Sequence, residues 1–112
     1  MLFRSMTQEQ LTEILKALRV GLFQLLGERL EAVYLYGSQA RGDAQPDSDI
    51  DVLVVLRGEF DYFDMIEETG QVSADLSLQN DAVISLTFVS KQDYEHKRTP
   101  FLLNVHREGF AI

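Results

Sequence analysis

Asp49 and Asp51 stand two residues apart at the head of an apolar, β-branched run, Asp49-Ile-Asp-Val-Leu-Val-Val-Leu56. Strand positions i and i+2 share a face, which sets the two Cβ atoms roughly 6.5–7 Å apart on one side. Such a pair suits a hard divalent cation. Mg2+ takes oxygen ligands and completes its shell with water and phosphate. Two such ions about 3.5–4 Å apart can clamp the attacking and leaving oxygens of a phosphoryl displacement. An Asp-x-Asp at a strand edge can equally be a solvated turn, so the pair does not decide the matter alone.

A second cluster lies just upstream. Gly37-Ser38 leads into Gln39-Ala40-Arg41-Gly42. A glycine lets backbone amides approach an anion closely, and the start of a short helix offers free N–H groups. The Ser38 hydroxyl adds a donor, and the Arg41 fork can bind phosphate oxygens. The plainer reading is that Ser38 caps a short turn and Arg41 pairs with Asp43. The Gly-Lys-Ser/Thr of a Walker loop is missing, so an ordinary P-loop is excluded.

The elements that would position these groups form a small α/β pattern. From Thr7 to Arg29, Leu11, Ile14, Leu15, Leu18, Leu22, Leu25 and Leu26 recur at helical spacing. Thr7 and Gln10 read as a capping box and Gly27 as the stop. Ala32–Tyr36 and Asp49–Leu56 read as strands, the second apolar on both faces and therefore covered on both sides. Glu59 to Asp81 holds seven acids and no Lys or Arg. It reads as a helix with a solvated acidic face and a kink near Gly70. Val83–Val89 is a third strand, followed by a helix capped by Ser90 with Asp93 and another begun by Pro100. The expected fold class is α/β, a small mixed β-sheet flanked by helices, with residues 1–112 as one domain.

Composition narrows the function classes. Lys plus Arg is 10 against 18 Asp plus Glu, a formal net charge of −8. That balance argues against gripping a nucleic-acid duplex. The absence of cysteine removes disulfide scaffolds, zinc fingers and thiol nucleophiles. No apolar run approaches the ~18–20 residues of a membrane span, and Met1 to Gln10 lacks the apolar core of a secretory signal. A cytoplasmic protein is the expectation. Phe101, Leu102, Leu103, Val105 and Phe110 crowd the segment Pro100–Ile112. One helix face cannot bury them all, which predicts a patch for self-association or a helical partner. Tyr34, Tyr36 and Tyr94 read as packing residues, with Tyr36 the one that could border a nucleotide pocket. His96 and His106 have no metal-ligand spacing.

Together the two clusters carry more than either alone. Gly37-Ser38, ten residues, then Asp49-Ile50-Asp51 resembles the signature of polymerase-β-like nucleotidyltransferases. The fuller run, Leu35-Tyr-Gly-Ser-Gln-Ala-Arg-Gly-Asp43 with Asp47-Ser-Asp-Ile-Asp-Val-Leu-Val54, resembles the minimal nucleotidyltransferase (MNT) branch. The resemblance implies that Gly37 and Ser38 hold the triphosphate of a nucleotide, with ATP the common donor, and that Asp49 and Asp51 bind Mg2+. Arg41 would be a further phosphate contact. It also implies a partner, because such chains are commonly paired with HEPN-domain toxins as their antitoxins, by modifying a toxin tyrosine or by binding it. One departure stands out. The family usually has a third carboxylate on the next strand, and the aligned residue here is Ser85, which is neutral and cannot act as a base at pH 7.

Overall fold

The computed structural model describes residues 6–45 and 47–112. Helix α1 (Gln8–Leu26) begins as its sequence dictates. Thr7 Oγ1 accepts from the Gln10 amide while the Gln10 side chain accepts from the Thr7 amide, closing the capping box. Its apolar stripe is buried as expected except for Leu25, which stays exposed. The helix ends at Leu26, short of the expected Arg29, because Gly27 turns to φ 56 and starts a single 3₁₀ turn, Gly27–Arg29. There follow β1 (Leu30–Tyr36), α2 (Ser38–Arg41), β2 (Ile50–Leu56), α3 (Tyr62–Asn80), β3 (Ile84–Ser90), α4 (Lys91–His96), α5 (Pro100–Glu108) and β4 (Phe110–Ala111).

The strands form a mixed sheet in the order β3-β2-β1-β4. β1 runs antiparallel to both β2 and β4, whereas β2 and β3 are parallel. A parallel pair needs a crossover, and α3 supplies it. Val33, Leu35, Ile50, Val52, Val54, Leu56, Ile84 and Phe88 pack on one face with α1 and α3. Leu53 and Val55 pack on the other with Leu102 and Val105 of α5, flanked by Tyr34, Tyr36 and Tyr94. Both faces of β2 are therefore covered, as its unbroken apolar run requires. Period two fixes the next step. Asp51 shares the α4–α5 side with Leu53 and Val55, and lies at the end of the strand where Asp49 enters it.

Two local expectations are corrected, and a third is met. First, α3 is one continuous helix through Gly70, because glycine costs only about 1 kcal/mol in a helix interior and Met65, Thr69, Val72 and Leu76 anchor it on both sides. Second, Phe110 leaves the C-terminal helix for β4, whose two residues are too few to carry a period. Third, the apolar surplus of the C-terminal segment is split. Leu102 and Val105 are buried, while Phe101, Leu103 and Phe110 keep 39%, 41% and 59% of their surface exposed. The Ser90–Asp93 cap and Pro100 at the helix start are present as read.

Two glycines give opposite expectations. A Cβ at Gly70 would meet open space, whereas one at Gly109 would lie 2.6 Å from the Val105 carbonyl oxygen and 3.3 Å from that of Leu35. Gly70→Ala should raise the unfolding free energy by ~0.5–1 kcal/mol. Gly109→Ala should lower it by about 1–3 kcal/mol. Urea titrations of the two variants check the pair.

Candidate functional site

β1 ends at Tyr36, and Gly37 turns the chain at φ 78, ψ −158, a region in which residues with a Cβ are strained. The turn places Gly37 directly on the second aspartate. A Cβ there would overlap the Asp51 carboxylate oxygen and lie 3.2 Å from its carboxyl carbon. Gly37 is the cap of α2 and Ser38 its first residue, so Ser38 is not the cap that the sequence suggested. The first amides of a helix have no intrahelical acceptor, and here they belong to Ser38 and Gln39. Gly42 ends the turn, its amide donating to the Ser38 carbonyl.

The sheet register sets the rest. Tyr36 pairs with Asp51 across β1–β2, and Asp51 with Ser85 across β2–β3. The Ser85 hydroxyl donates to Asp49 Oδ2 at 3.3 Å, so this serine faces the aspartate pair as its alignment required. Asp81 instead caps α3 in the left-handed region, in the turn before β3. Among the described residues, no third Asp, Glu, His or Cys joins the pair. Tyr36 borders the site on its inner side. Its hydroxyl shares a 3.2 Å hydrogen bond with Thr87 Oγ1, and its ring stands edge-on to Phe101 at 5.2 Å.

Electrostatics mark Asp51. Partial burial pushes its carboxyl above the usual range, the Asp49 charge pushes it further, and the Arg41 charge pulls it back. Burial likewise raises the Tyr36 phenol, with Asp51 adding to it. Two carboxylates on one side of a strand, opposite a turn with no side chain to fill the gap, fit a hard cation with open positions for water and phosphate oxygens. Arg41 is doubly paired: Nε donates to Asp43 Oδ2 at 3.2 Å and Nη1 to Glu108 Oε2 at 3.3 Å. The Asp43 partner follows from sequence proximity. Glu108 does not, nor does Thr87, although Thr87 shares the strand parity of Ser85; Phe101, read from sequence as a patch residue, stands against Tyr36. His106 stacks on Tyr94 at 4.2 Å and bonds the Tyr94 carbonyl oxygen at 2.8 Å, a packing role. His96 lies exposed at the end of α4.

A mixed sheet with a glycine-serine turn opposite an Asp-x-Asp strand defines a nucleotidyltransferase domain. The family model of that description matches residues 12–100, and the chain belongs to this family. A Methanocaldococcus jannaschii protein bearing the name of a protein adenylyltransferase is 32% identical over 103 residues, covering 92% of this chain and 99% of that protein. A toxin–antitoxin crystal structure with AMP-PNP is similar at a TM-score of 0.60 and 22% identity, over 89% of this chain and 69% of that one. A tri-AMPylated HEPN toxin of Shewanella oneidensis in complex with its MNT antitoxin gives 0.53 and 21%, over 95% and 70%. At these identities the solved structures establish a common fold.

Gly37→Ala should disrupt the turn and displace Asp51, lowering the melting temperature of the whole domain. Asp51→Asn should do the reverse when divalent ions are chelated. A carboxyl raised in the fold contributes stability below its unfolded pKa and loses it as pH rises through the folded one. The asparagine variant should therefore melt higher than wild type at pH 7, the gap closing toward pH 4 as wild type regains its proton. Thermal melts in chelator across that range check both.

Proposed function

We propose that this chain acts, as a single domain, as a Mg2+-dependent adenylyltransferase. It would move AMP from ATP to a hydroxyl, with a tyrosine of a HEPN-domain protein as acceptor, and would serve as the antitoxin of that pair. The observation that carries the reading is the fit of the Gly37 turn against Asp51, with Asp49 on the same side of the strand. The relative named for protein adenylylation and the neighbours with AMP-PNP and with an AMPylated toxin support the choice of nucleotide and acceptor.

In this reading Asp49 and Asp51 would hold Mg2+, which when bound neutralises triphosphate charge and polarises the reacting phosphate. The amides of Ser38 and Gln39, the Ser38 hydroxyl and Arg41 orient the triphosphate. The acceptor oxygen forms a bond to the α-phosphorus as the bond from that phosphorus to the α–β bridging oxygen breaks. Pyrophosphate departs with the electron pair, and the acceptor proton passes to water. Ser85 holds Asp49 in place through its hydrogen bond but takes no proton. A positioned general base is worth ~10²–10⁴ in rate, so transfer is expected to be slow, with positioning supplying the acceleration. Ser85 also favours a second reading, a nucleotide-binding module that neutralises its partner by contact alone.

Calorimetry should find Mg2+-dependent ATP binding in wild type and none in Asp49→Asn/Asp51→Asn. Equal affinity in the double variant would remove the site assignment. Label from α-labelled ATP should move to a HEPN-domain partner protein, and Ser85→Asp should speed that transfer. Partner neutralisation without any transfer of label would establish the second reading instead.

A further inference from the structure

The ion pair between Arg41 and Glu108 joins two parts of the chain that are distant in sequence. Arg41 ends α2, next to the Gly37 turn, and Glu108 ends α5, 67 residues later. The Arg41 guanidinium is forked. Asp43 accepts from Nε and Glu108 from Nη1, and no further partner among the described residues takes up Nη2. A long arginine side chain otherwise carries considerable rotamer freedom. Two carboxylates on adjacent nitrogens fix the plane of the fork.

Glu108 is itself fixed from behind. The Gly109 amide donates to the Val105 carbonyl at 2.8 Å, and a Cβ at Gly109 would lie 2.6 Å from that same oxygen and 3.3 Å from the Leu35 carbonyl oxygen of β1. β4 then pairs with Tyr34 and Leu35 of β1, and the Ile112 amide donates to the Val33 carbonyl at 2.9 Å. Arg19 Nη1 closes the segment on the Ile112 carbonyl oxygen at 2.8 Å. The end of α5 is thus pinned to β1, the strand that delivers the Gly37 turn. Glu108 is also the less exposed partner, its side chain 29% accessible against 43% for Arg41.

We propose that Glu108 is a positioning residue for nucleotide binding: it holds the Arg41 guanidinium with its Nη2 edge toward the triphosphate. The inference rests on the nucleotide-binding reading above. The negative charge of Glu108 opposes an incoming phosphate, but that repulsion acts through water and is screened, whereas the fixed geometry of the fork is retained in every encounter. Asp43, on a flanking turn, braces the second nitrogen and cannot alone fix the plane.

The test is a double-mutant cycle on Mg2+-ATP affinity by calorimetry, using wild type, Glu108→Gln, Arg41→Ala and the double variant, each well below its melting temperature. Glu108→Gln should weaken binding about two- to fivefold, the range of an exposed ion pair. Arg41→Ala should weaken it about tenfold. The double variant should match Arg41→Ala alone, because Glu108 acts only through Arg41. Glu108→Asp should recover part of the loss. A general loosening of the fold would add to the Arg41 loss instead, and additivity overturns the proposal. Wild-type or tighter affinity in Glu108→Gln overturns it too, since Glu108 would then be idle or a competitor for Arg41. So does an unimpaired Arg41→Ala, with ATP still lost in Asp49→Asn/Asp51→Asn; that result spares the nucleotide reading. Absence of ATP binding by wild type defeats both.

Discussion

Strand β2 is the constraint around which the molecule is arranged. Among the described residues it is the only strand with five successive buried residues, Val52–Leu56, and Ile50 before them is buried too, with only Asp51 interrupting. A segment apolar on both sides must lie between two layers, so α1 and α3 cover one face and α5 the other. The same strand must also surrender its cover at one end, because two carboxylates cannot be buried without a partner. The candidate site is where those requirements meet. Tyr36 and Ser85 are positioned there by their register with β2, and the Gly37 turn follows directly from Tyr36.

That arrangement explains what could be read from the residues and what could not. The α1 stripe, the capping box and the double-sided strand are local patterns, and local patterns survive into the fold. The aspartate pair also stays together, although β2 begins at Ile50 and not at Asp49 as expected: Asp49, one residue before the strand, accepts from Ser85, the register partner of Asp51. The facing of Ser85 depends on a parallel register seven strand residues long. Alignment could suggest it but spacing could not fix it. β4 was invisible because two residues have no periodicity, and the Arg41–Glu108 contact because its partners are brought together only by the packing of α5. The kink at Gly70 failed for the converse reason: a weak local preference was overruled by anchoring on both sides.

Charge is unevenly placed. α3 carries Asp64, Glu67, Glu68 and Asp75 with no Lys or Arg of its own, and only Glu68 finds an ion-pair partner among the described residues, Arg29 at the end of the 3₁₀ turn. The acids therefore face solvent as the sequence pattern implied, and they lie on the layer opposite the candidate site. In the proposed reading a triphosphate would approach from the sheet's other side, beside the Gly37 turn, away from this acidic helix. The −8 net charge is thus compatible with binding a triphosphate.

The small edge strand β4 has one more consequence. It joins residues far apart in the chain, Tyr34 with Ala111 and Leu35 with Phe110, through only two register pairs. Closing so long a loop costs entropy that local contacts do not, so this edge is the natural candidate to zip last and to unzip first. Such an opening would leave the α1–α3 layer and the β1–β2–β3 core paired while freeing the backbone edge of β1. In that open form an unpaired strand edge, the kind of template that seeds misassociation, would be bare until the last residues return.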